Sequence, residues 1–387
     1  MSTAEADISH LSAHSRMAWL DALRGLAAVA VLAEHMLQAI MPSLRPYWCN
    51  LGIYGVMVFF LVSGYIIPVS LERRGDLRAF WISRAFRLYP LYVAVIGLTL
   101  ALAWWIPVRD AVPRDPSAVA AHATMLTDVV GVATVVDPMW TLSYEMVFYL
   151  VCAAMYAAGV HTRGGVAALL FAGGAVLAGL LLSGPPLTGG WVVWASTVAF
   201  ALGLACVVAR RGAVPVTLAL GIGAVALLFL SSRAPWFGAA ILAVMFAGAA
   251  VHRWEREAGR LWPVGAAAVL VAVAPVWAPQ AGWWWVQPDV WITTLAMAAA
   301  TFAGVMAVRE RWRIPRSLVW LGMVSYSLYL THVPVLKLLT ALAGDLRTAP
   351  PPVQALVMTL TTAAILLVSG LTYRLIELPA QRLGRSR

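Results

Sequence analysis

An arginine and a histidine stand within the first long apolar segment of the chain, MAWLDALRGLAAVAVLAEHMLQ, at Arg24 and His35. Ionisable groups inside an apolar segment of bilayer length are energetically costly, and they generally mark functional sites. Eleven positions separate the two residues, which in a helix places both side chains on nearly the same face, roughly 16 Å apart along the axis. One helix would therefore present a cation near one membrane surface and an imidazole toward the other.

Further titratable groups occur in two later apolar segments, with Glu145 in WTLSYEMVFYL and His332 in SYSLYLTHVPV. The helical rise places both at a depth similar to that of His35, in the outer half of the bilayer. An imidazole can deprotonate a hydroxyl that attacks a thioester, and a carboxylate can orient the imidazole or raise its basicity. We therefore predict that His35, Glu145 and His332 are catalytic. The alternative is that each makes a hydrogen bond in helix packing, and we favour that structural role for Glu34, which points to a different face from His35.

A cluster of basic residues in ERRGDLRAFWISRAFRLYPLY precedes and enters the third apolar segment. Arg84 and Arg87 are three positions apart and share a helix face. Paired guanidinium groups suit the bidentate binding of a phosphorylated donor. The alternative is membrane anchoring through lipid headgroups.

The composition indicates the fold that must position these groups. The chain is 62% hydrophobic and 11% charged, with a mean hydropathy of +0.83, whereas soluble domains average about 25% charged residues. Apolar runs of bilayer length recur along the chain, which predicts an all-α polytopic membrane protein with about 10–12 transmembrane helices. The net charge of +10 does not indicate nucleic-acid binding, because the arginines form short clusters between apolar runs. The predicted spans are 17–38, 52–71, 81–107, 140–159, 164–183, 190–209, 213–231, 235–251, 261–278, 289–308, 317–343 and 353–376.

The basic residues also predict the orientation. Most of the 27 lysines and arginines fall in alternate connections on the side of the N-terminus, so both termini are expected in the cytoplasm. We expect a cytoplasmic tail over 1–16 without a cleaved signal peptide, a transmembrane domain over 17–377 and a basic cytoplasmic tail over 378–387. The longest outer loop is predicted at 107–139.

The three cysteines, Cys49, Cys152 and Cys206, are isolated in the sequence. Their spacing matches no metal or redox motif, so neither a metal site nor a structural disulfide is predicted.

Six motifs together resemble the acyltransferase-3 family of integral-membrane O-acyltransferases. They occur in that family's order and cover nearly the whole chain. The paired-arginine motif contributes Arg84, Arg87 and Tyr92, and the closing motif contributes Glu377 and Pro379. The six motifs are LDALRGLAAVAVLAEH, GVMVFFLVSGYII, RAFRLYPLY, WTLSYEMVFYL, SYSLYLTHVPV and IELPAQR.

This resemblance implies a function. Such enzymes transfer an acyl group, usually acetyl from acetyl-CoA, to a hydroxyl of envelope carbohydrate, exopolysaccharide or a glycolipid, in the bacterial inner membrane. His35 would then be the catalytic residue, while Arg24, Arg84, Arg87 and Tyr92 would hold the CoA or shape its channel. A mechanism with a covalent acyl-enzyme intermediate at His35 is equally compatible with this sequence. Two departures are the span count, since the family core has about ten, and the lack of the extracytoplasmic hydrolase-like domain that some members carry.

Two rival functions remain at this stage. A secondary transporter could use the buried histidines and glutamate as a proton relay, although no similarity between the halves of the chain favours it. The second rival function is that of a non-enzymatic component of polysaccharide export. In that case loss of His35 would impair folding and not chemistry.

Overall fold

The computed structural model describes residues 3–106 and 112–385, with side chains from 18 to 106 and from 112 to 384. Helices account for most of this part of the chain, and no strand occurs in it. The side chains of the predicted tail 1–16 lie outside the described residues. The helices are α1 (Thr3–Ala39), α2 (Leu51–Arg74), α3 (Leu77–Leu102), α4 (Pro116–Thr124), α5 (Trp140–Ala157), α6 (Gly164–Leu181), α7 (Gly190–Val208), α8 (Ala213–Leu230), α9 (Pro235–Glu257), α10 (Trp262–Val273), α11 (Pro288–Val308), α12 (Arg316–Met323), α13 (Ser325–Ala343), α14 (Pro351–Thr372) and α15 (Leu378–Arg385).

Each predicted apolar segment coincides with helical structure, which confirms the all-α polytopic fold. Among the described residues, 8 helices are long and apolar enough to cross a membrane, or 9 if the bent pair α12 and α13 is one span. This is fewer than the predicted ten to twelve. Helices α1 and α5 fall short because polar and charged side chains lower their hydropathy, and α10 is too short. The segment predicted as one span over 317–343 is in fact broken, with a bend of 70° between α12 and α13.

The chain folds into two compact units. The first combines the chain up to Val62 with Ile292–Tyr373, and the second holds Ser63–Trp291 and the chain from Arg374 onward. The first unit thus contains α1, α12, α13, α14, and parts of α2 and α11.

Close contacts around α1 organise the first unit. Gly25 lies so near α12 that a Cβ there would come 2.8 Å from the Leu318 carbonyl oxygen. In return, Gly322 of α12 lies against the backbone of Asp21, leaving no space for a side chain. Gly55 of α2 approaches α1 in the same way. Because any larger residue would separate these backbones, the glycines determine how closely the helices around α1 can pack.

In the second unit, α9 is the most buried of the helices that are long and apolar enough to cross a membrane, and it packs against α6. Phe171 of α6 stacks on Phe246 of α9 with ring centroids 5.5 Å apart. The C-terminal half of α2 crosses α9 where Gly64 lies against the Met245 backbone. Helices α5 and α8 form a second closely packed pair in this unit.

The segment predicted as an outer loop, 107–139, is largely packed into the second unit, although residues 107–111 lie outside the described part. It includes α4, and most of the residues that follow α4 are buried. His122 joins the two parts of this segment, since its Nδ1 donates to the Ala118 carbonyl at 2.7 Å and its Nε2 accepts from the Val135 amide at 3.2 Å. Burial lowers the pKa of His122, so the neutral form is favoured.

The chain beyond α14 is also helical. A π-helical turn over Tyr373–Glu377 leads into α15. Gly384 of α15 lies against Phe86 of α3. The predicted basic tail 378–387 therefore forms a helix packed on α3 as far as Arg385, and the last two residues lie outside the described part.

Candidate active site

Two histidines predicted to be catalytic meet in the first unit, although 297 positions separate them in sequence. His35 on α1 and His332 on α13 have ring centroids 5.0 Å apart and an interplanar angle of 62°. The His332 Nε2 atom lies 3.3 Å from the His35 Nδ1 atom. The close packing of α1 on α12 and α13 places the two rings edge to face.

Backbone carbonyls determine which ring nitrogens carry protons. The Nδ1 atom of His35 lies 2.9 Å from the Val31 carbonyl, and that of His332 lies 3.0 Å from the Leu328 carbonyl. Since a carbonyl oxygen only accepts, both Nδ1 atoms are donors. The His35 N–H is then shared between Val31 and the lone pair of His332 Nε2. This assignment leaves a lone pair on His35 Nε2, the atom that can act as a base.

The two imidazoles differ in their exposure. His332 is 1% exposed, whereas His35 is partly exposed. Both helices of the pair contribute to a buried apolar core, and the Tyr329 ring lies 6.1 Å from the His332 ring. His332 can therefore hold His35 in position, while only His35 can meet a substrate. The buried core residues are Ala28, Leu32, Met36, Ile40, Leu328, Leu336, Leu346 and Ile365.

Glu34, next to His35 in sequence, has a structural environment. Its carboxylate is 5% exposed and accepts two hydrogen bonds from the Arg45 guanidinium, one of them from Nε at 2.8 Å. Its other oxygen accepts from the Leu51 amide, the first of α2, at 3.2 Å. This carboxylate thus joins α1, the following loop and the start of α2.

Arg24 lies toward the other end of α1, within the segment that contacts α12. Its NH1 atom is 3.9 Å from an Asp21 carboxylate oxygen, and its side chain is 19% exposed. The cation is therefore placed where α1 and α12 meet.

Arg84 is a buried cation in the second unit. It is 9% exposed, and its guanidinium carbon lies 5.6 Å from the Phe80 ring centroid and 5.5 Å from that of Tyr149. Its Nε atom has no hydrogen-bond partner among the described residues, and no carboxylate in that part of the chain pairs with it. Because a buried charge normally has a counter-charge, this site is suited to an anion that the described chain does not supply.

Glu145 and Arg84 both contact the side chain of Tyr149. The Tyr149 hydroxyl, one helical turn later on α5, donates to the Glu145 carboxylate, and the Arg84 guanidinium lies over the same tyrosine ring. Tyr149 was missed in the sequence analysis, although its spacing of four from Glu145 would have indicated a contact. The groups that orient His35 in the first unit are His332 and a backbone carbonyl.

Tyr92, predicted to hold the donor, is 2% exposed. Its ring contacts Tyr89, with centroids 6.5 Å apart, and the Tyr89 hydroxyl donates to the Ala123 carbonyl at 2.8 Å. Tyr92 therefore packs in the interior of the second unit. Within the described residues, no group of three His, Cys, Asp or Glu side chains is arranged to hold a metal ion.

Comparison with known proteins adds independent information. Residues 17–371 match the family described as an acyltransferase domain. The chain is 29% identical over 151 residues to the peptidoglycan O-acetyltransferase OatA of Listeria monocytogenes, covering 34% of this chain and 23% of that protein. It is 28% identical over 149 residues to acyltransferase MdmB of Streptomyces mycarofaciens, covering 35% of this chain and 38% of that protein. The matches thus span well under half the length of these relatives. No solved structure gives a significant match.

Proposed function

Because this chain belongs to the acyltransferase-3 family, we propose that it is a membrane O-acyltransferase that moves an acyl group, by default acetyl, from acyl-CoA to a carbohydrate hydroxyl. The acceptor belongs to the envelope, an exopolysaccharide or a glycolipid. The observation that carries this proposal is the His35–His332 pair, which leaves a basic nitrogen on the more accessible ring.

His35 acts as the general base in this mechanism. Its Nε2 takes the proton of the acceptor hydroxyl as the hydroxyl oxygen attacks the thioester carbonyl carbon. The new C–O ester bond forms, the C–S bond breaks, and the sulfur of CoA leaves and takes up the proton. The Val31 carbonyl and His332 hold the ring during both proton transfers, because they engage the opposite nitrogen, Nδ1.

Arginines bind the donor phosphates. Arg84 supports this assignment because it is buried among aromatic rings, and no carboxylate among the described residues forms an ion pair with it. Arg24 and Arg87 contribute further positive charge, as the resemblance to the family implies. The protein lies in the inner membrane of a bacterial cell, with both termini of the chain in the cytoplasm. CoA enters the site from that side. Labelling of single cysteines added at each terminus, in intact and opened cells, tests that orientation.

The function is tested with purified full-length protein, labelled acetyl-CoA and an envelope glycan extract. Wild type, His35→Ala and His35→Gln are compared at matched folded amounts. His122→Gln is the control, because His122 is a buried histidine whose ring nitrogens both bind backbone groups. We expect acceptor-dependent CoA release that falls about 10²–10⁴-fold in the His35 variants and persists in the control.

Two results would contradict this proposal. Activity that survives in His35→Ala would remove the base role of His35 and leave the family assignment in place. If wild type released no CoA with any acyl donor or glycan, a flux assay would decide whether the protein is a transporter.

A further inference from the structure

We propose that the N-terminus of α13, together with Arg24, binds a phosphate group of the acyl donor. The identity of the donor rests on the proposed function, whereas the anion site follows from the broken helix. The helix that carries His332 begins at this break, where α12 ends at Met323 and α13 starts at Ser325.

The first turn of α13 carries no side-chain cap. A helix that starts inside an apolar span directs its first N–H groups out of the helix, with partial positive charge at that end. Ser, Thr, Asp or Asn normally accepts hydrogen bonds from these groups. Here the capping position is occupied by Val324, which offers no acceptor and is 0% exposed. An external anion would accept a hydrogen bond from the Ser325 N–H group, as substrate anions do at broken helices in transporters.

Ser325 is a second and independent indication of a ligand. It is the first residue of α13, it is 0% exposed, and its hydroxyl has no hydrogen-bond partner among the described residues. Buried hydroxyl groups without partners are rare because the lost hydration costs free energy. An oxygen-rich anion at the start of α13 would accept from this hydroxyl as well as from the backbone.

Arg24 lies on the segment of α1 that contacts the end of α12. Its neighbour Gly25 packs against the Gly322 backbone, and Gly322 in turn lies against Asp21. The break follows two positions after Gly322, so the segment of α1 that carries Arg24 packs close to where α13 begins. The Asp21 carboxylate is 3.9 Å from the Arg24 guanidinium, so Arg24 would interact with both this carboxylate and the bound anion. Phosphate is the anion favoured here, because its several oxygens can bind a guanidinium and a helix N-terminus together.

The distance to the histidines fits a donor that extends along α13. Ser325 precedes His332 by seven positions, which is about 10 Å along a helix axis. A phosphate at Ser325 and a thioester at the His35–His332 pair would occupy the two ends of that distance. The flexible pantetheine arm of CoA joins a phosphate to the thiol.

The test measures binding of CoA and of pantetheine, which lacks phosphate, to the purified full chain. Ser325→Asp and Ser325→Asn have nearly equal volume and differ in charge. We expect CoA affinity to fall more than about tenfold in the Asp variant and to stay within about threefold of wild type in the Asn variant. Pantetheine affinity should be the same in all proteins. Thr340→Asp, which adds the same charge near the other end of α13, is the control and should bind CoA as wild type does.

Unchanged CoA affinity in a folded Ser325→Asp protein would overturn the proposal, and so would an equal loss in Thr340→Asp. If Ser325→Asp does not fold, Ser325→Ala replaces it, with a loss of about tenfold expected for one hydrogen bond to a charged group. Unchanged affinity in Ser325→Ala would then be the overturning result.

Inorganic pyrophosphate separates this site from the proposed function. If wild type binds pyrophosphate but not CoA, and Ser325→Asp loses that binding, the anion site stands and the donor assignment fails. If wild type binds neither, the site is overturned. Repeating the CoA titration in phosphatidylglycerol and phosphatidylcholine nanodiscs distinguishes a donor phosphate from a lipid phosphate. Competition by phosphatidylglycerol in wild type and in Ser325→Asn, both of which are expected to keep the anion site, would overturn the assignment to the donor.

Discussion

The Nε2 atom of the buried His332 accepts from the Nδ1 atom of the more exposed His35 at 3.3 Å. The pair resembles a base and its orienting group, but the orienting group is a second imidazole. Because His332 donates its own Nδ1 proton to the Leu328 carbonyl, it presents a lone pair and not a proton to His35. In the proposed mechanism His332 is thus a positioning residue, and its removal should change the rate more than donor binding.

His332→Gln keeps an oxygen that can accept from His35, whereas His332→Leu removes the acceptor. We expect kcat to fall about 10–100-fold in the Leu variant and less in the Gln variant, since orientation supplies part of a general base's effect. KM for the acyl donor should change little in both. The measurement is steady-state kinetics over a pH series. Equal losses in the two variants, with an unshifted pH profile, would indicate a packing role alone.

Arg84 should be dispensable for folding and necessary for donor binding. Its guanidinium is buried and forms no ion pair with a carboxylate among the described residues, so Arg84→Met removes a charge that has no direct partner while filling a similar volume. We expect the melting temperature to stay the same or rise, while CoA affinity falls at least about tenfold. Thermal unfolding and CoA titration measure the two effects. A large drop in melting temperature with unchanged CoA affinity would show that the arginine is structural.

Glu34 and Arg45 form an ion pair that stabilises the first unit. Both side chains are largely buried, at 6% and 15% exposed, so Glu34→Gln or Arg45→Gln should each lower the free energy of unfolding by about 3 kcal/mol. The double variant should lose less than the sum, because no isolated charge remains. Thermal or denaturant unfolding of the four proteins measures this coupling. Additive losses would contradict it, and activity per folded molecule should be retained throughout.

Gly322 allows α12 to lie against the backbone of Asp21. Gly322→Ala should reduce the yield of folded protein, because the added Cβ overlaps backbone atoms that cannot move aside easily. Gly304→Ala on α11 is the matched control, since a Cβ there meets nothing within 4 Å, and it should stabilise the helix by roughly 0.5–1 kcal/mol. Detergent-extracted yield and melting temperature are the measurements. Equal behaviour of the two variants would contradict the close approach of α1 and α12.

His122 should make stability depend on pH. Burial holds the pKa of this imidazole below its ordinary value of 6.5, so the unfolded chain binds the proton more readily than the folded chain. The stabilisation is therefore complete above the unfolded pKa and is lost as the pH falls through the lower folded pKa. Between pH 7.5 and pH 5.5, roughly the window of this titration, the melting temperature of wild type should fall further than that of His122→Gln. Parallel losses in both proteins would exclude this histidine as the cause.

The positions of the helices could be predicted from the sequence because the preference of a segment for a helix in lipid depends on its own composition. The apolar run that contains Glu145 is helical as expected, and so are the others. The break between α12 and α13 was not predictable in this way. Val324 is apolar and glycine is common in such spans, and the contact of Gly322 with α1, two positions before the break, exists only in the folded protein.

The candidate site shows the same division. Membrane burial singled out Arg24, His35, His332 and Glu145, because an ionisable side chain in an apolar run is costly wherever it lies. The spacing of Arg84 and Arg87 singled out that pair. Their partners depend on tertiary packing. Contacts between helices far apart in sequence bring His332 to His35, and the fold of the second unit surrounds Arg84 with rings and leaves it without a carboxylate. A single sequence specifies the types of these groups, whereas distances of about 3 Å between their atoms exist only once the helices have packed.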